Sequence, residues 1–496
     1  MATIKKIIPL NRVEGDLEIH LELDRDHVVK AAKSVGTMYR GIENLMTGRG
    51  PLDSLVITPR ICGICTTAHL NAAAKALDMA YQVSIPADAH RLRNVTLMVE
   101  QMQNDLRHLF LLSMPDVTRP RYADHPLYAE AMARYQPLKG PSTVQTLQET
   151  KKLIEIIAIL GGQWPHSSFM VPGGVVSVPS GSDIAQCRHI LSSFRKWYEK
   201  RVLGCTLDRW HAVGTCDQLQ DWLAEAVAHR DSELGFFIRF CLSAGLDGLG
   251  RGHDRFISAG GPDLPKPGGD IIPLFPAGIF TPAGTAPLDL EKITEDVTCS
   301  FFKKTPGHPF DSRTIADPYT DDERKYSWAK APRYDGQPAE TGPLADMLMA
   351  DKPLFVSWVR SNGASVFIRE LARMVRPAMI LPAVEQCVAG MAHVDAQFYT
   401  DTLKPLSARS YGVVTAPRGI LGHWVVIKDG KIANYQVITP TAWNGSPRDR
   451  HGIRGPWEEA ITGTAVRDPD DPVEVEQVVR SFDPCLVCTV HAIMLS

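Results

Sequence analysis

Two cysteine pairs, one near each end of the chain, constrain its fold more than any other feature of the sequence. Cys62 and Cys65 form the first pair, and Cys485 and Cys488 form the second, 423 positions later. Thiolates with this spacing converge on one metal ion, and four of them usually make a closed zinc site. Zinc ribbons close much shorter loops, however, so a shared site would tie the C-terminal pair into the middle of the protein. Soft thiolates also suit nickel, and redox chemistry needs a metal position left open for substrate.

Composition and charge exclude several classes of function. Hydrophobic residues make up 44% of the 496 residues and charged residues 22%, as in ordinary globular proteins. The formal net charge of −3 provides no field that would attract nucleic acid or an acidic membrane surface. The most apolar runs, residues 153–160 and 354–359, are shorter than the roughly 20 residues needed to span a bilayer, so no membrane insertion is expected.

The N-terminus and the cysteine content predict a cytoplasmic location. The first residues contain neither the apolar core nor the small-residue cleavage site of a secretory signal. The chain has ten cysteines, and the six outside the two pairs stand alone, which suits a reducing compartment better than a disulfide framework.

Hydrophobic periodicity predicts an α+β fold with a mainly helical core. Alternating apolar residues over 4–35 predict an N-terminal β-hairpin, and strand-like runs over 411–439 predict a small C-terminal β region. Residues 260–343 are rich in glycine and proline and are expected to form short strands and ordered loops. No clear boundary interrupts the chain, so we expect one domain over residues 1–496.

Two long core helices are predicted after the first cysteine pair. Apolar residues recur there at three- and four-residue intervals, over 68–81 and 88–113. Helical patterns return further on, so the first half of the chain is expected to be mainly helical. Another long helix is predicted over 353–403, with interruptions at Pro377 and Pro382, because proline removes a hydrogen bond inside a helix.

The residues around the two cysteine pairs carry a family resemblance. The first pair stands in Arg60-Ile61-Cys62-Gly63-Ile64-Cys65 with His69 beyond it, and the second in Asp483-Pro484-Cys485-Leu486-Val487-Cys488 with His491 beyond it. Both segments resemble the two signatures of nickel-iron hydrogenase large subunits. Further segments follow in the family order along nearly the whole chain: Arg12-Val13-Glu14-Gly15, Tyr39-Arg40-Gly41-Ile42-Glu43, Trp164-Pro165-His166, Ala416-Pro417-Arg418-Gly419 and Thr441-Ala442-Trp443-Asn444.

The resemblance implies a nickel-iron centre bound by four cysteines. Cys62 and Cys485 would be the terminal thiolates on nickel, and Cys65 and Cys488 would bridge nickel to an iron that carries carbon monoxide and cyanide. Dihydrogen would be split heterolytically there, which needs a base for the proton and a metal for the hydride. The implied function is the reversible oxidation of dihydrogen by the catalytic large subunit of an oxidoreductase.

The resemblance also implies roles for residues around the centre. The proton would leave through Glu14, and Arg418 would lie over the open metal position. Pro417 and Thr441 would contact the diatomic ligands of the iron, and Asp483 would position the metal-binding turn or only cap it. Without the family, Glu14 would be interpreted as a solvated or capping charge and Arg418 as a structural ion-pair donor.

A magnesium ion near the C-terminus is a further implication. Glu43 and His491 match family positions that hold this ion, together with a backbone carbonyl close to Gly445. Hard oxygen and nitrogen ligands suit magnesium, and the bound ion would pin the tail in place.

Three features depart from the common family pattern. The aspartate that usually faces the metal aligns with Asn104, and Asp105 stands next to it, so a shift of one residue in that helix would restore a carboxylate. The gas-channel constriction, which pairs isoleucine with phenylalanine in hydrogen sensors, has Ile64 with Leu112. Only a short tail follows His491, which is typical of the cytosolic hydrogen-sensing branch.

Electron transfer would require a partner chain. No further cysteine cluster exists to bind an iron-sulfur group, so electrons would pass to a separate iron-sulfur small subunit, and such heterodimers could assemble further. The main competing hypothesis is a hydrogen-sensing regulatory subunit that signals to a histidine kinase. We also consider a structural zinc protein, and a non-catalytic relative such as the quinone-site subunit of respiratory complex I, which lacks the cysteines.

Overall fold

The computed structural model describes residues 4–137, 139–265, 270–391 and 396–489, and its core is mainly helical. The predicted α+β class is therefore confirmed. Within these ranges, no helix is both long and apolar enough to cross a membrane. The helices are α1 Ile42–Met46, α2 Ser54–Ile57, α3 Thr66–Ala80, α4 Ala87–Arg107, α5 Tyr128–Tyr135, α6 Pro141–Gly161, α7 Gly181–Trp197, α8 Leu207–His211, α9 Cys216–Glu225, α10 Val227–Asp231, α11 Glu233–Ser243, α12 Pro343–Met349, α13 Pro353–Asn362, α14 Val366–Gly390, α15 Pro440–Asn444, α16 Pro456–Ile461, α17 Val473–Ser481 and α18 Leu486–Thr489. The strands are β1 Ile4–Pro9, β2 Leu17–Leu23, β3 Val29–Gly36, β4 Met170–Val171, β5 Gly174–Val175, β6 Phe256–Ser258, β7 Gly261–Pro265, β8 Ile271–Phe275, β9 Gly278–Thr281, β10 Gly284–Ala286, β11 Ile293–Asp296, β12 Ala331–Tyr334, β13 Ala408–Ala416, β14 Gly419–Lys428 and β15 Lys431–Ile438.

The N-terminal sheet has three antiparallel strands in the order β1-β2-β3, so the predicted hairpin gains a third strand. Alternate residues of β2 point to the same side and are buried: Leu17, Ile19, Leu21 and Leu23 are each at most 2% exposed. The loop between β1 and β2 contains Glu14, whose backbone pairs with the second cysteine pair. This sheet therefore brings the start of the chain to the metal-binding segment.

The C-terminal sheet has the order β13-β14-β15 and is antiparallel, as the strand-like runs predicted. Helix α3 packs on β13 and β14. Gly412 of β13 permits this approach, because a Cβ there would lie 2.0 Å from the carbonyl oxygen of Ala72. The first cysteine pair, which directly precedes α3, is thus fixed against the sheet.

Helix α4 crosses the centre of the molecule between α6 and α14. Every residue from Leu92 to Leu106 is buried, and a π-helical turn over His108–Ser113 continues the helix to the predicted end. The buried stretch contains Glu100, Asn104 and Asp105, which must find polar partners inside the protein. These partners lie near the two cysteine pairs.

The predicted interruptions at Pro377 and Pro382 are wrong, because both prolines lie inside the continuous helix α14. The break instead occurs before α14, where Gly363 has a φ of +76° and the Ser365 side chain caps the new helix by accepting from Ile368 N. Most of α14 is buried, so its packing compensates for the hydrogen bonds that the prolines remove.

Candidate metal centre

The two cysteine pairs meet in one buried cluster. The Sγ atoms of Cys62, Cys65, Cys485 and Cys488 all lie within 4.8 Å of one another. Cys485 and Cys488 are 3.0 Å apart, Cys65 and Cys488 are 3.1 Å apart, and Cys62 and Cys485 are 3.4 Å apart. None of the four forms a disulfide, and each is at most 5% exposed. The fold thus brings the two cysteine pairs, which lie near opposite ends of the chain, into direct contact.

The loop between β1 and β2 anchors the second cysteine pair. The backbone of Glu14 pairs with that of Cys485, and the Leu486 N–H donates to the Glu14 carbonyl at 2.6 Å. Gly15 has a φ of +83°, and a Cβ there would lie 2.9 Å from the backbone nitrogen of Val487. The close contact between the two loops therefore requires glycine.

Glu100 of α4 fixes the start of α3, directly after the first cysteine pair. Its two carboxylate oxygens accept N–H groups from Thr67 at 2.8 Å and from Ala68 at 2.9 Å. Burial raises the pKa of Glu100 to about 7, although these two bonds oppose the rise. A buried carboxylate at a helix N-terminus is favourable because the backbone N–H groups there lack helical partners.

Arg40 joins the two cysteine loops. Its guanidinium donates to the carbonyl oxygens of Ile61 and Val487, each of which directly precedes a cysteine. The sequence placed Arg40 in a family segment but gave no sign of this role. Only the structure brings the two distant carbonyl groups to one side chain.

The four sulfurs are too close together to carry four negative charges without a cation. Hydrogen bonding from Cys485 and the other cysteines lowers the pKa of the Cys62 thiol well below its usual range, whereas burial raises the pKa of Cys488 well above it. One thiolate therefore forms readily, and the formation of further thiolates is opposed. A soft divalent metal would remove this conflict, so the donor set fits such an ion.

Arg418 lies beside the sulfur cluster and is held by Asp483. Arg418 Nε is 2.9 Å from Asp483 Oδ1, and both side chains are buried. Burial opposes the charge of Arg418, but Asp483 and Cys485 outweigh it and raise the Arg418 pKa well above its usual range. Burial likewise raises the pKa of Asp483, but Arg418 and His108 outweigh it and hold that pKa far below the usual range. Both groups are therefore charged.

Asn104 and Asp105 of α4 face different partners. Asn104 Nδ2 donates to Asp483 Oδ2 at 2.7 Å, so an amide occupies the position beside Asp483. Asp105 accepts from Arg376 at 2.7 Å, and Arg376 also donates to the carbonyl of Pro417. Asp105 thus pairs with Arg376 and Asn104 with Asp483, and a carboxylate that faces the metal at this helix stays a prediction.

Glu14 is half-buried at the edge of the sulfur cluster. Burial and the negative charge of Cys62 raise the pKa of Glu14, and Arg418 and Arg40 partly offset this rise. The carboxyl group therefore holds a proton at a higher pH than an exposed glutamate does.

Three further residues from the resemblance lie near the cysteines or near α4. Thr441 Oγ1 accepts the Cys485 N–H at 3.1 Å, and the Ile64 N–H is 3.4 Å from Cys62 Sγ. Leu112 lies in the turn that follows α4 and is partly exposed. Contact with iron ligands and a gas channel, the roles implied for these residues, stay predictions.

Three hydrogen-bonded side chains lead away from Cys488. His69 Nε2 is 3.8 Å from Cys488 Sγ, His69 Nδ1 is 3.1 Å from His423 Nε2, and His423 Nδ1 is 2.8 Å from the Tyr435 hydroxyl. All three are buried, and burial lowers the pKa of His69 to about 4, so its ring is neutral. The sequence indicated His69 through its motif, but nothing in it indicated His423 or Tyr435.

Glu43 lies in a separate buried group of polar side chains. Lys330 Nζ is 3.3 Å from one Glu43 oxygen and 3.1 Å from the other. Lys330 also lies 3.2 Å from Glu295, whose pKa burial raises to about 7. The resemblance implies a magnesium ligand among the backbone carbonyls close to Gly445, and the Gly445 carbonyl itself accepts the Ser34 hydroxyl at 3.0 Å. His491 lies outside the described residues.

A model of the nickel-dependent hydrogenase family matches residues 40–134 and 246–491, which include all four cysteines. The chain belongs to this family. It is 31% identical to the periplasmic [NiFeSe] hydrogenase large subunit of Desulfomicrobium baculatum, over 98% of this chain and 94% of that protein. It is also 27% identical to the hydrogenase-2 large chain of Escherichia coli K12, over 98% and 97% of the two chains.

Solved structures of hydrogenases share the fold. The Ni-Fe-Se hydrogenase of D. vulgaris Hildenborough in the reduced state matches with a TM-score of 0.83 and 28% identity. The match covers 99% of this chain and 100% of that one. The predicted fold and enzyme class are thus confirmed: the chain is the catalytic large subunit of a nickel-dependent hydrogenase, an oxidoreductase acting on hydrogen.

The predicted cytoplasmic location is wrong, because the Desulfomicrobium relative is named a periplasmic enzyme. The prediction took the isolated cysteines as a sign of a reducing compartment, and this inference does not hold. Cys187 and Cys241 are buried in the core, so their lack of a disulfide reflects packing rather than the redox state of a compartment. The names of the relatives also give no support to the hydrogen-sensing alternative.

Proposed function

We propose that this hydrogenase subunit splits dihydrogen heterolytically at a nickel-iron centre, with Cys62 and Cys485 as terminal nickel ligands and Cys65 and Cys488 as bridges to iron. The observation that carries the proposal is the buried cluster of four sulfurs within 4.8 Å, beside a charged arginine and a carboxyl group. A closed zinc site would not need these two groups.

Glu14 is the proposed proton acceptor. The bound nickel-iron pair would supply the acceptor for the electron pair of the H–H bond, and the chain would supply the base for the proton. Burial and the negative charge of Cys62 raise the pKa of Glu14, so its carboxylate binds a proton more readily than an exposed glutamate does. Arg418 and Arg40 oppose this rise in the pKa of Glu14 and so favour the carboxylate that accepts the proton.

Arg418 is proposed to present a fixed positive charge at the open metal position. Asp483 holds the guanidinium through Nε, while Arg418 Nη1 is buried without a hydrogen-bond partner among the described residues. Asn104 fixes the second oxygen of Asp483 at 2.7 Å. This arrangement keeps the arginine in place without using all its donors, which favours electrostatic stabilisation of charge at the site.

Carbon monoxide and cyanide on the iron are also part of the proposal, with Pro417 and Thr441 beside them. Infrared spectroscopy of the purified protein with its partner tests this directly, because the stretching bands of these ligands fall in a region free of protein absorption. Nickel with no such bands would refute the iron ligands, and zinc in place of nickel would refute the centre itself.

The magnesium ion expected at Glu43 and His491 would have to share Glu43 with a buried lysine. Both oxygens of Glu43 face the Lys330 ammonium group, so a cation there would have to displace Lys330 or bind beside it. The described donors therefore fit a metal poorly, and we assign no step to magnesium. Metal analysis of Glu43→Gln, compared with the unmodified protein, would test whether one magnesium per chain is lost.

The electron acceptor is proposed to be an iron-sulfur small subunit, and such heterodimers are proposed to assemble further. Among the described residues, the four cysteines are the only group of metal-ligand type with three or more members. This arrangement supports a partner chain as the acceptor of the electrons released at the centre. Hydrogen-dependent dye reduction by the co-purified complex is the expected result, and a complex with full nickel occupancy and no dye reduction would refute the proposal.

A further inference from the structure

We infer that Tyr435 and His423 are positioning residues that direct the hydrogen bond from His69 onto the sulfur of Cys488. The inference rests on the proposed role of Cys488 as a metal ligand. It concerns the sequence of contacts from Tyr435 through His423 and His69 to that sulfur, with distances of 2.8, 3.1 and 3.8 Å.

The sulfur sets the direction of every bond in this chain of contacts. A metal-bound thiolate can only accept, so His69 Nε2 must carry the hydrogen that faces Cys488. A neutral imidazole has one N–H group, so His69 Nδ1 must then accept from His423 Nε2. His423 Nδ1 is left as an acceptor and takes the hydrogen of the Tyr435 hydroxyl. Tyr435 thus supplies the last donor of the series, and because hydrogen bonds in a chain polarise one another, it strengthens the bonds that lead to the sulfur.

Rigid elements hold the three side chains. Tyr435 belongs to β15 and His423 to the adjacent strand β14, and α3, which carries His69, packs on β14. Each side chain is at most 1% exposed, so water does not compete for these bonds. Burial also raises the pKa of the Tyr435 phenol, which keeps the hydroxyl hydrogen in place. The scaffold therefore fixes the positions of the three side chains.

Loss of the Tyr435 hydroxyl should be felt at the metal centre. Without it, His423 Nδ1 loses its donor, so His423 becomes a weaker donor to His69 and His69 in turn a weaker donor to Cys488. A thiolate that accepts a weaker hydrogen bond gives more electron density to the metals that it binds. The stretching bands of the proposed iron ligands should then move to lower wavenumber.

The test compares Tyr435→Phe with Tyr198→Phe in the purified complex. Tyr198 is a matched control because its hydroxyl is also buried and donates to the Met374 carbonyl at 2.9 Å, outside this chain of contacts. We expect both variants to retain nickel, and only Tyr435→Phe to shift the infrared bands to lower wavenumber. Unmoved bands in Tyr435→Phe, or an equal shift in Tyr198→Phe, would overturn the inference.

His423→Gln provides a rescue. A glutamine amide can donate to His69 Nδ1 without help from Tyr435, so bands close to those of the unmodified protein are expected. In that background the additional Tyr435→Phe change should have no effect, and a full shift would contradict the proposed direction. If Tyr435→Phe fails to retain nickel, His423→Leu breaks the same chain of contacts, and unmoved bands in it would overturn the inference.

These outcomes separate the inference from the proposed function. If the unmodified complex shows no carbon monoxide or cyanide bands, the proposed iron ligands are wrong. The nickel electron paramagnetic resonance signal, which also senses the Cys488 thiolate, then decides the inference by the same comparison of variants.

Discussion

Replacing Glu14 with glutamine tests whether this side chain accepts the proton. The change keeps the shape of the side chain, and the backbone bonds that join Glu14 to Cys485 and Leu486 do not involve the carboxyl group. The folded site should therefore persist while the base is lost. A positioned general base contributes about 10²- to 10⁴-fold to a rate, which equals about 3 to 5 kcal/mol of activation free energy.

We therefore expect hydrogen-dependent dye reduction by the Glu14→Gln complex to fall by about that factor, with nickel content and infrared bands unchanged. Glu18→Gln is the matched control, because Glu18 lies on the adjacent strand, is partly exposed and pairs with His20 at 2.9 Å. It should retain the original rate. A Glu14→Gln complex with full nickel and nearly the original rate would refute the assignment of the base.

The pH dependence provides a second test of the same residue. Since burial and Cys62 raise the pKa of Glu14, its carboxylate becomes protonated, and unable to accept, at a higher pH than an exposed glutamate does. The rate of hydrogen oxidation should therefore decline as the pH falls through this raised pKa. The Glu14→Gln variant should lack that decline.

Three further changes test the scaffold. Gly15→Ala should lower the free energy of unfolding by at least about 1 kcal/mol and should also reduce the nickel content. The reason is that this residue has a φ of +83° and that a Cβ would lie 2.9 Å from a backbone nitrogen of the second cysteine loop. Unchanged nickel content and melting temperature would contradict this prediction. Asp105→Asn should lower the free energy of unfolding in urea by about 3 kcal/mol, because Arg376 would then keep only Asp346 as a charged partner. A decrease below about 1 kcal/mol would count against a stabilising buried ion pair between Asp105 and Arg376. The pKa of Glu100 in the folded protein, about 7, exceeds the ordinary glutamate value of 4.5. The free energy of unfolding should therefore fall by about 3 kcal/mol as the pH rises from 4.5 to 7, and Glu100→Gln should flatten this dependence. An equal pH dependence of stability in both proteins would show that Glu100 is not its cause.

The sequence predicted the parts of the fold that depend on local pattern and on motif. The alternation in β2 and the periodicity of α4 both appear in the structure, and the signatures around the cysteines led to the correct family. The break before α14 was missed because Gly363 and Ser365 are weaker sequence signals than two prolines. Burial of α14 decides the outcome there, and burial is a property of the tertiary fold.

The surroundings of the centre were less predictable for the same reason. Whether Asn104 or Asp105 faces Asp483 depends on the rotation of α4 about its axis. That rotation is fixed by tertiary contacts such as the pairing of Asp105 with Arg376, which the sequence does not reveal. His423 and Tyr435 are separated from His69 by more than 300 positions, so no spacing rule connects them.

The contact between the first loop of the chain and the second cysteine pair has a consequence for synthesis. During translation, Glu14, Cys62 and Cys65 emerge long before Cys485, which follows Cys62 by 423 positions. A metal captured early would have only two of its four thiolates, and the loop around Gly15 would lack the backbone that it packs against. A chain interrupted before Cys485 therefore lacks both the full set of thiolates and the backbone against which the first loop packs.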